Sequence, residues 1–135
     1  MLQVYSTNIA VDETSFVPLQ NVKTQKGCSA TMSGTSTINL NKCGVYRITV
    51  DASATPVTPG LMSIDLYRDG VAMPEAQSSV TGTADTTSPM SFETFVQVSS
   101  NNTCRCCDRP VTIQVFNSGV DATFMNLNVT VDKMC

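Results

Sequence analysis

Strict alternation of apolar and polar side chains constrains this chain more than any other feature. From Gly44 to Gly70 it reads "GVYRITVDASATPVTPGLMSIDLYRDG". Tyr46, Ile48, Val50 and Ala52 share one side, and Arg47, Thr49 and Asp51 take the other. Met62, Ile64 and Leu66 then oppose Ser63, Asp65 and Tyr67. A period of two sends successive side chains to opposite faces of a strand, so each segment has one buried and one solvated face. The pattern returns in "VTIQVFN", with Val111, Ile113 and Val115 inward. It returns again in "ATFMNLNVTVDKM", with Met125, Leu127, Val129 and Val131 inward and Asn126, Asn128 and Thr130 outward. No segment carries the 3.6-residue period of a helix.

Turn chemistry divides the rest. "MLQVYSTNIAV" opens a strand with Leu2 and Val4 on one face, and Pro18 in "TSFVPLQNV" fits an edge or bent strand. "CSATMSGTSTINLNKC" predicts a hairpin turning at Gly34 to Thr37. With Thr35 and Ser36 at its centre, Thr31 opposes Leu40 and Cys28 opposes Cys43. That register puts Asn39 and Asn41 on the cysteine face, and a slip of one residue would invert it. Residues 53–60 and their prolines predict a surface loop. Asp69-Gly70 predicts a tight hairpin, Pro74 weakens the return strand, and residues 75–89 read as a loose edge strand or a loop. "MSFETFVQV" places Phe92, Thr94, Val96 and Val98 inward, with Phe95 opposite.

About eight to ten short strands with turn-rich connections predict an all-β fold, an antiparallel β-sandwich or jelly roll, as a single domain over residues 1–135. Charged residues are 14% of the chain, below the ~25% usual for soluble domains. Ser, Thr and Asn replace them, which suits exposed strand faces and surfaces buried against copies of the same chain.

Several function classes lose support. A net charge of −3 with no run of basic residues argues against nucleic acid. No apolar run reaches the ~20 residues of a membrane span, and the residues after Met1 lack the pattern of a signal peptide. Histidine is absent, which removes the commonest general base and metal ligand. No catalytic motif is present, so no enzyme and no cofactor is expected. Asp65, Asp69, Glu75 and Glu93 are weighed as paired acids. They read more simply as solvated strand faces and turns.

Two constellations remain. The first is the cysteines: Cys28, Cys43, Cys104, Cys106, Cys107 and Cys135 are all disulfide candidates. Cys104, Cys106 and Cys107 have poor spacing for zinc and are weak metal candidates only, and free thiols are the third reading. The second is the set of large apolar groups on faces that should be wet: Val45, Leu61, Tyr67, Phe95 and Phe116. They mark either self-association or a sheet partly covered by loops.

The order of elements resembles the trimeric jelly rolls of the tumour-necrosis-factor and complement-recognition-head type. The resemblance rests on a small hairpin, a Gly-x-Tyr-x-Ile strand (Gly44, Tyr46, Ile48), a hairpin with Ile64, Leu66 and Gly70, a strand from Val111 to Asn117, and a last strand running to the end. It implies a homotrimer in which the Gly-x-Tyr strand and the last two strands build the core and the three-fold contact. The chain is also similar to short, Ser/Thr/Asn-rich structural proteins of bacteriophages and prophages. That similarity implies a virion protein, a capsid decoration or head fibre, docking on capsid or other virion proteins and made without a signal peptide. The alternative is a receptor- or carbohydrate-binding tip of a phage tail or fibre, with a host-surface glycan as partner. In either case the loops at Thr55 to Gly60, Ser78 to Pro89 and Ser99 to Pro110 are the ones expected to face outward.

Overall fold

The computed structural model describes residues 1–27, 29–83, 85–98 and 111–134. Its elements are β1 (Leu2–Val11), β2 (Ser15–Phe16), β3 (Asn21–Gln25), β4 (Ala30–Ser33), β5 (Thr37–Leu40), β6 (Gly44–Pro56), β7 (Gly60–Arg68), β8 (Val71–Gly82), β9 (Ser88–Val98), β10 (Val111–Asn117) and β11 (Ala122–Lys133). A five-stranded sheet runs β3-β1-β11-β6-β9. A six-stranded sheet runs β4-β5-β10-β7-β8, with β2 pairing β10 beyond the end of β5. Every pairing is antiparallel. The expected all-β sandwich with jelly-roll strand order is therefore the architecture.

The alternating segments supply the core. Tyr46, Ile48, Val50 and Ala52 of β6 and Leu127, Val129 and Val131 of β11 meet Met62, Ile64 and Leu66 of β7 and Ile113 and Val115 of β10, all buried. Burying such side chains contributes about 1.5–3 kcal/mol each. Buried polar groups then fix the connections. The Tyr46 hydroxyl donates to the Lys42 carbonyl (2.7 Å) and accepts from the Lys42 N–H (3.3 Å), pinning the β5–β6 loop. Asn117, 1% exposed, aims its amide N–H groups at the carbonyls of Val11, Asp12 and Val120 (3.2–3.3 Å) and accepts from Gly119 N–H (3.1 Å). One side chain so ties the β1–β2 connection to the β10–β11 turn. Gly119 lies so close to β7 that a Cβ there would sit 2.5 Å from the Leu61 carbonyl oxygen and the Ser63 nitrogen.

Several expectations are corrected. The β4–β5 register is slipped by one: Ala30 opposes Leu40 and Thr31 opposes Asn39. Gly34, at φ +70°, helps form a longer turn than the one expected. The slip turns Ala30, Ile38 and Leu40 inward, so burial of apolar groups wins over the shorter turn. Strand β6 continues through Pro56, buried and opposite Ala122, so the connection to β7 is only residues 57–59. Residues 71–82 form one strand despite Pro74, because β8 is an edge strand where a missing N–H is tolerated. Pro89 sits in β9, the edge of the other sheet, for the same reason. Met125 is 43% exposed because β11 bulges between Phe124 and Asn126, which shifts Phe124 inward. The Asp69-Gly70 hairpin is as expected, with φ of 51° and 82° at its two turn residues.

Candidate interaction surfaces

The solvent face of the five-stranded sheet is built from the polar half of each alternation. Its register forms cross-strand rows: Gln3–Thr130–Thr49–Glu93, Tyr5–Asn128–Asp51–Ser91 and Thr7–Asn126–Ser53–Pro89. Hydroxyls and amides make up most of its middle, with the exposed carboxylates of Asp51 and Glu93 among them. At one end of the face, Arg47 meets Asp132 at 3.8 Å. Beside Arg47 in register on the β9 edge stands Phe95, 58% exposed. Val45, half-buried, begins the same strand. Every residue of these rows is half-buried or exposed.

The solvent face of the six-stranded sheet is different. Tyr67 of β7 and Phe116 of β10 lie 4.7 Å apart between ring centroids, and Phe16 of β2 stands edge-on to both at 5.5 and 5.1 Å. Such pairs add about 0.5–1.5 kcal/mol beyond their area. Phe16 thereby shelters both rings, although its own exposure is 38%. Asp65 opposes Phe116 in register, and its Oδ1 is buried without a hydrogen-bond partner. Ser79 donates to Ser63 (2.9 Å) beside it, and Gln114 donates to Thr37 (3.1 Å).

The expected surface residues are therefore divided. Tyr67 and Phe116 share one cluster, Phe95 and Val45 belong to the opposite sheet, and Leu61, 52% exposed, lies at a sandwich end with Val57, 61% exposed. Tyr5 and Phe16 escape sequence reasoning. Phe16 sits in a two-residue strand whose partner is a hundred positions away, and Tyr5 gains meaning only from the row it joins.

The loops divide too. The connections 12–14, 57–59, 83–87 and 118–121 gather at one end of the sandwich. The strand ends Val98 and Val111, which flank residues 99–110, lie at the other end with the Asp69-Gly70 turn. Of the three expected outward loops, Thr55 to Gly60 and Ser78 to Pro89 lie toward the first end, and Ser99 to Pro110 lies outside the described residues. Cys43 is half-buried. Cys28, Cys104, Cys106, Cys107 and Cys135 lie outside the described residues, and so do the disulfide and metal expectations placed on them.

No family model matches the sequence, and no curated protein matches it. Solved structures do. The fold is similar to Eiger TNF from S. frugiperda, with a TM-score of 0.72 at 11% identity over 99% of this chain and 92% of that one. It is similar to the globular domain of zebrafish complement 1qA protein, at 0.66 and 10% over 96% and 94%. It is also similar to the PRD1 vertex protein P5, at 0.61 and 15% over 99% and 96%. At these identities the likeness establishes the fold: a jelly roll of the tumour-necrosis-factor and complement-head type.

Proposed function

We propose that this chain is a homotrimeric structural protein of a bacteriophage or prophage particle, a capsid decoration or head fibre whose mechanism is adhesive. The observation that carries the reading is the open face of the five-stranded sheet. It is wide, built mainly of hydroxyls and amides with the exposed Asp51 and Glu93 as the carboxylates of its rows, and flanked by Phe95, which a lone chain leaves 58% exposed. Hydroxyl- and amide-bearing rows can be buried against a copy without the desolvation cost of charges. Closed three-fold symmetry uses the surface completely, leaving no patch for open-ended growth. The likeness to a vertex protein and to a tumour-necrosis-factor head supports the same reading. Many weakly held copies on one particle gain by avidity and need no chemistry at any single site. Light scattering tests the assembly, with an expected mass three times 14.4 kDa; a strict monomer at micromolar concentration refutes it. Co-sedimentation with particles from which the protein has been stripped tests the role.

A receptor- or carbohydrate-binding tip is the second reading, favoured by one observation. The rings of Phe16, Tyr67 and Phe116 stand beside the half-buried carboxylate of Asp65. Ring faces next to a carboxylate are what a sugar's apolar face and hydroxyls require. Saturable glycan binding that Phe16→Ala abolishes, without change of mass, would move the weight to this reading.

A further inference from the structure

Net charge conceals how this chain's charges are placed. Of its eight Lys and Arg, Arg105 and Arg109 lie outside the described residues, and the other six gather toward one end of the sandwich. Lys23 and Lys26 belong to β3 and its exit beside Met1. Lys42 is in the β5–β6 loop, Arg47 starts β6, Arg68 ends β7 and Lys133 ends β11. The opposite end carries Asp12, Glu13, Asp85 and Asp121, all exposed, and no Lys or Arg among its described residues.

The two ends act separately. Strand β11 runs between them with 12 residues, roughly 40 Å at ~3.3 Å per residue. That is several times the ~8 Å Debye length at physiological salt. An approaching partner therefore meets one end and its local sign, and the net −3 of the chain does not describe what it meets.

Two carboxylates at the basic end are engaged within the fold, while Glu93, in the row of Thr24, Gln3 and Thr49, and Glu75 of β8 are exposed. Asp69 Oδ1 accepts from the Thr112 N–H (3.0 Å) and hydroxyl (3.3 Å), and Asp132 faces Arg47 at 3.8 Å. Lys23, Lys26 and Lys42 have no ion-pair partner among the described residues. Exposed apolar side chains stand among them: Met1 at 46%, Val71 at 69% and Met134 at 49%.

We propose that this end is the docking end, and that it fits an acidic protein surface. Three features choose protein over polyphosphate. Four of the six cations are lysines, which act as hydrated point charges and lack the planar fork of arginine. Both arginines are already committed, Arg47 to Asp132 and Arg68 to the Gln97 carbonyl (2.9 Å). Asp69 and Asp132 are interleaved with the lysines, which a dense phosphate array would repel and a mixed acidic protein surface tolerates. The exposed valine and methionines add apolar contact that a protein partner can bury. The inference deepens the proposed function by choosing the end that faces the particle. It rests on that reading for the identity of the partner, whereas the end itself is read from charge placement.

The test uses the full chain and immobilised poly-L-glutamate as probe, at 50 and 300 mM NaCl. Binding is expected at 50 mM and should weaken at least tenfold at 300 mM. Lys23→Glu, Lys26→Glu and Lys42→Glu combined should lose at least thirtyfold at 50 mM. Asp12→Lys, Glu13→Lys and Asp85→Lys combined should lose none. Carbodiimide crosslinking of the unmodified chain, read by peptide mass, keeps the test decisive if the triple variant misfolds: crosslinks should fall on Lys23, Lys26, Lys42 or Lys133. Crosslinks elsewhere, or binding untouched by the lysine reversals, overturn the docking end. Tighter binding to duplex DNA or phosphatidylserine vesicles than to polyglutamate at matched charge overturns the partner class. So does a mass that grows beyond the oligomer at 50 mM NaCl without any probe, since a second copy would then be the occupant. A monomeric mass with lysine-mapped polyglutamate binding sinks the trimer and leaves the docking end standing. Particle binding that survives the lysine reversals does the reverse.

Discussion

The two sheets have equally apolar inner faces and opposite outer ones. The six-stranded sheet resolves its exposed aromatics internally: Phe16, on a two-residue strand, stands against Tyr67 and Phe116. The five-stranded sheet has no such strap, and Phe95 on β9 is left 58% exposed beside rows of Thr, Asn and Ser. Exposed rings alone therefore do not mark an interface. What distinguishes the two faces is whether the chain supplies its own cover.

The sharpest way to break this comparison is a charge in the middle of the uncovered face. Asn128, half-buried on the central strand β11 between Tyr5 and Asp51, would carry it. Asn128→Glu should leave the lone chain folded, because a glutamate there can reach water. In an assembly it would bury a second carboxylate beside Asp51, its register partner, with no cation in that row to pair it, costing about 3–5 kcal/mol per interface. Light scattering should then show the mass falling from three copies to one. A mass that stays at three copies means this face is not the contact.

On the covered face the same logic predicts the reverse. Phe116→Ala removes one of three mutually packed rings and should lower unfolding stability by about 2 kcal/mol, less than for a fully buried ring, since Phe116 is only half-buried. Thermal unfolding would read the loss, and the assembly mass should not change. If the mass drops instead, the cluster belongs to a contact between chains. Phe95→Ser should do the opposite of Phe116→Ala. Its ring contributes little to the single fold, so the melting temperature of a dissociated chain should move by no more than about 0.5 kcal/mol allows. Dissociation of the assembly should become about tenfold easier, the equivalent of about 1.4 kcal/mol.

Which parts of this were legible follows from physics. Period-two alternation in β6, β7, β10 and β11 names the buried faces, because side-chain direction in a strand is a local property. Asp69-Gly70 names its turn, because few other pairs accept two positive φ angles. Strand β8 was obscured because its buried positions include Ala76 and Gly82, which carry no hydrophobic signal. The β4–β5 register was missed because "GTS" fits turns of more than one length, and the choice is made by the core that Ile38 and Leu40 must reach. The candidate surfaces were half legible. Phe95 and Phe116 are both off-pattern in sequence, but only the long-range pairing of β2 with β10 says which one is covered. Charge placement is hidden for the same reason: Lys23 and Lys26, Lys42 and Lys133 come from separate parts of the sequence and are brought to one end by strand direction.

The smallest effect separates the two states of the uncovered face most finely. Arg47 and Asp132 lie 3.8 Å apart with side-chain exposures of 44% and 36%. An exposed pair of this kind is worth about 0–1 kcal/mol and is screened by salt. In the lone chain, Arg47→Gln should therefore change unfolding stability by no more than a few tenths of a kcal/mol, and less at high salt. Burial in an assembly changes this, because removing one partner then leaves Asp132 charged and desolvated, and the loss appears in dissociation, largely insensitive to salt. Measuring Arg47→Gln and Asp132→Asn singly and together, in both unfolding and dissociation, isolates the coupling between them. A coupling confined to dissociation places the pair inside the contact. Equal and small coupling in both measurements leaves it at the rim, and the contact must then be centred on the Asn128 row and away from the Arg47 end of the sheet.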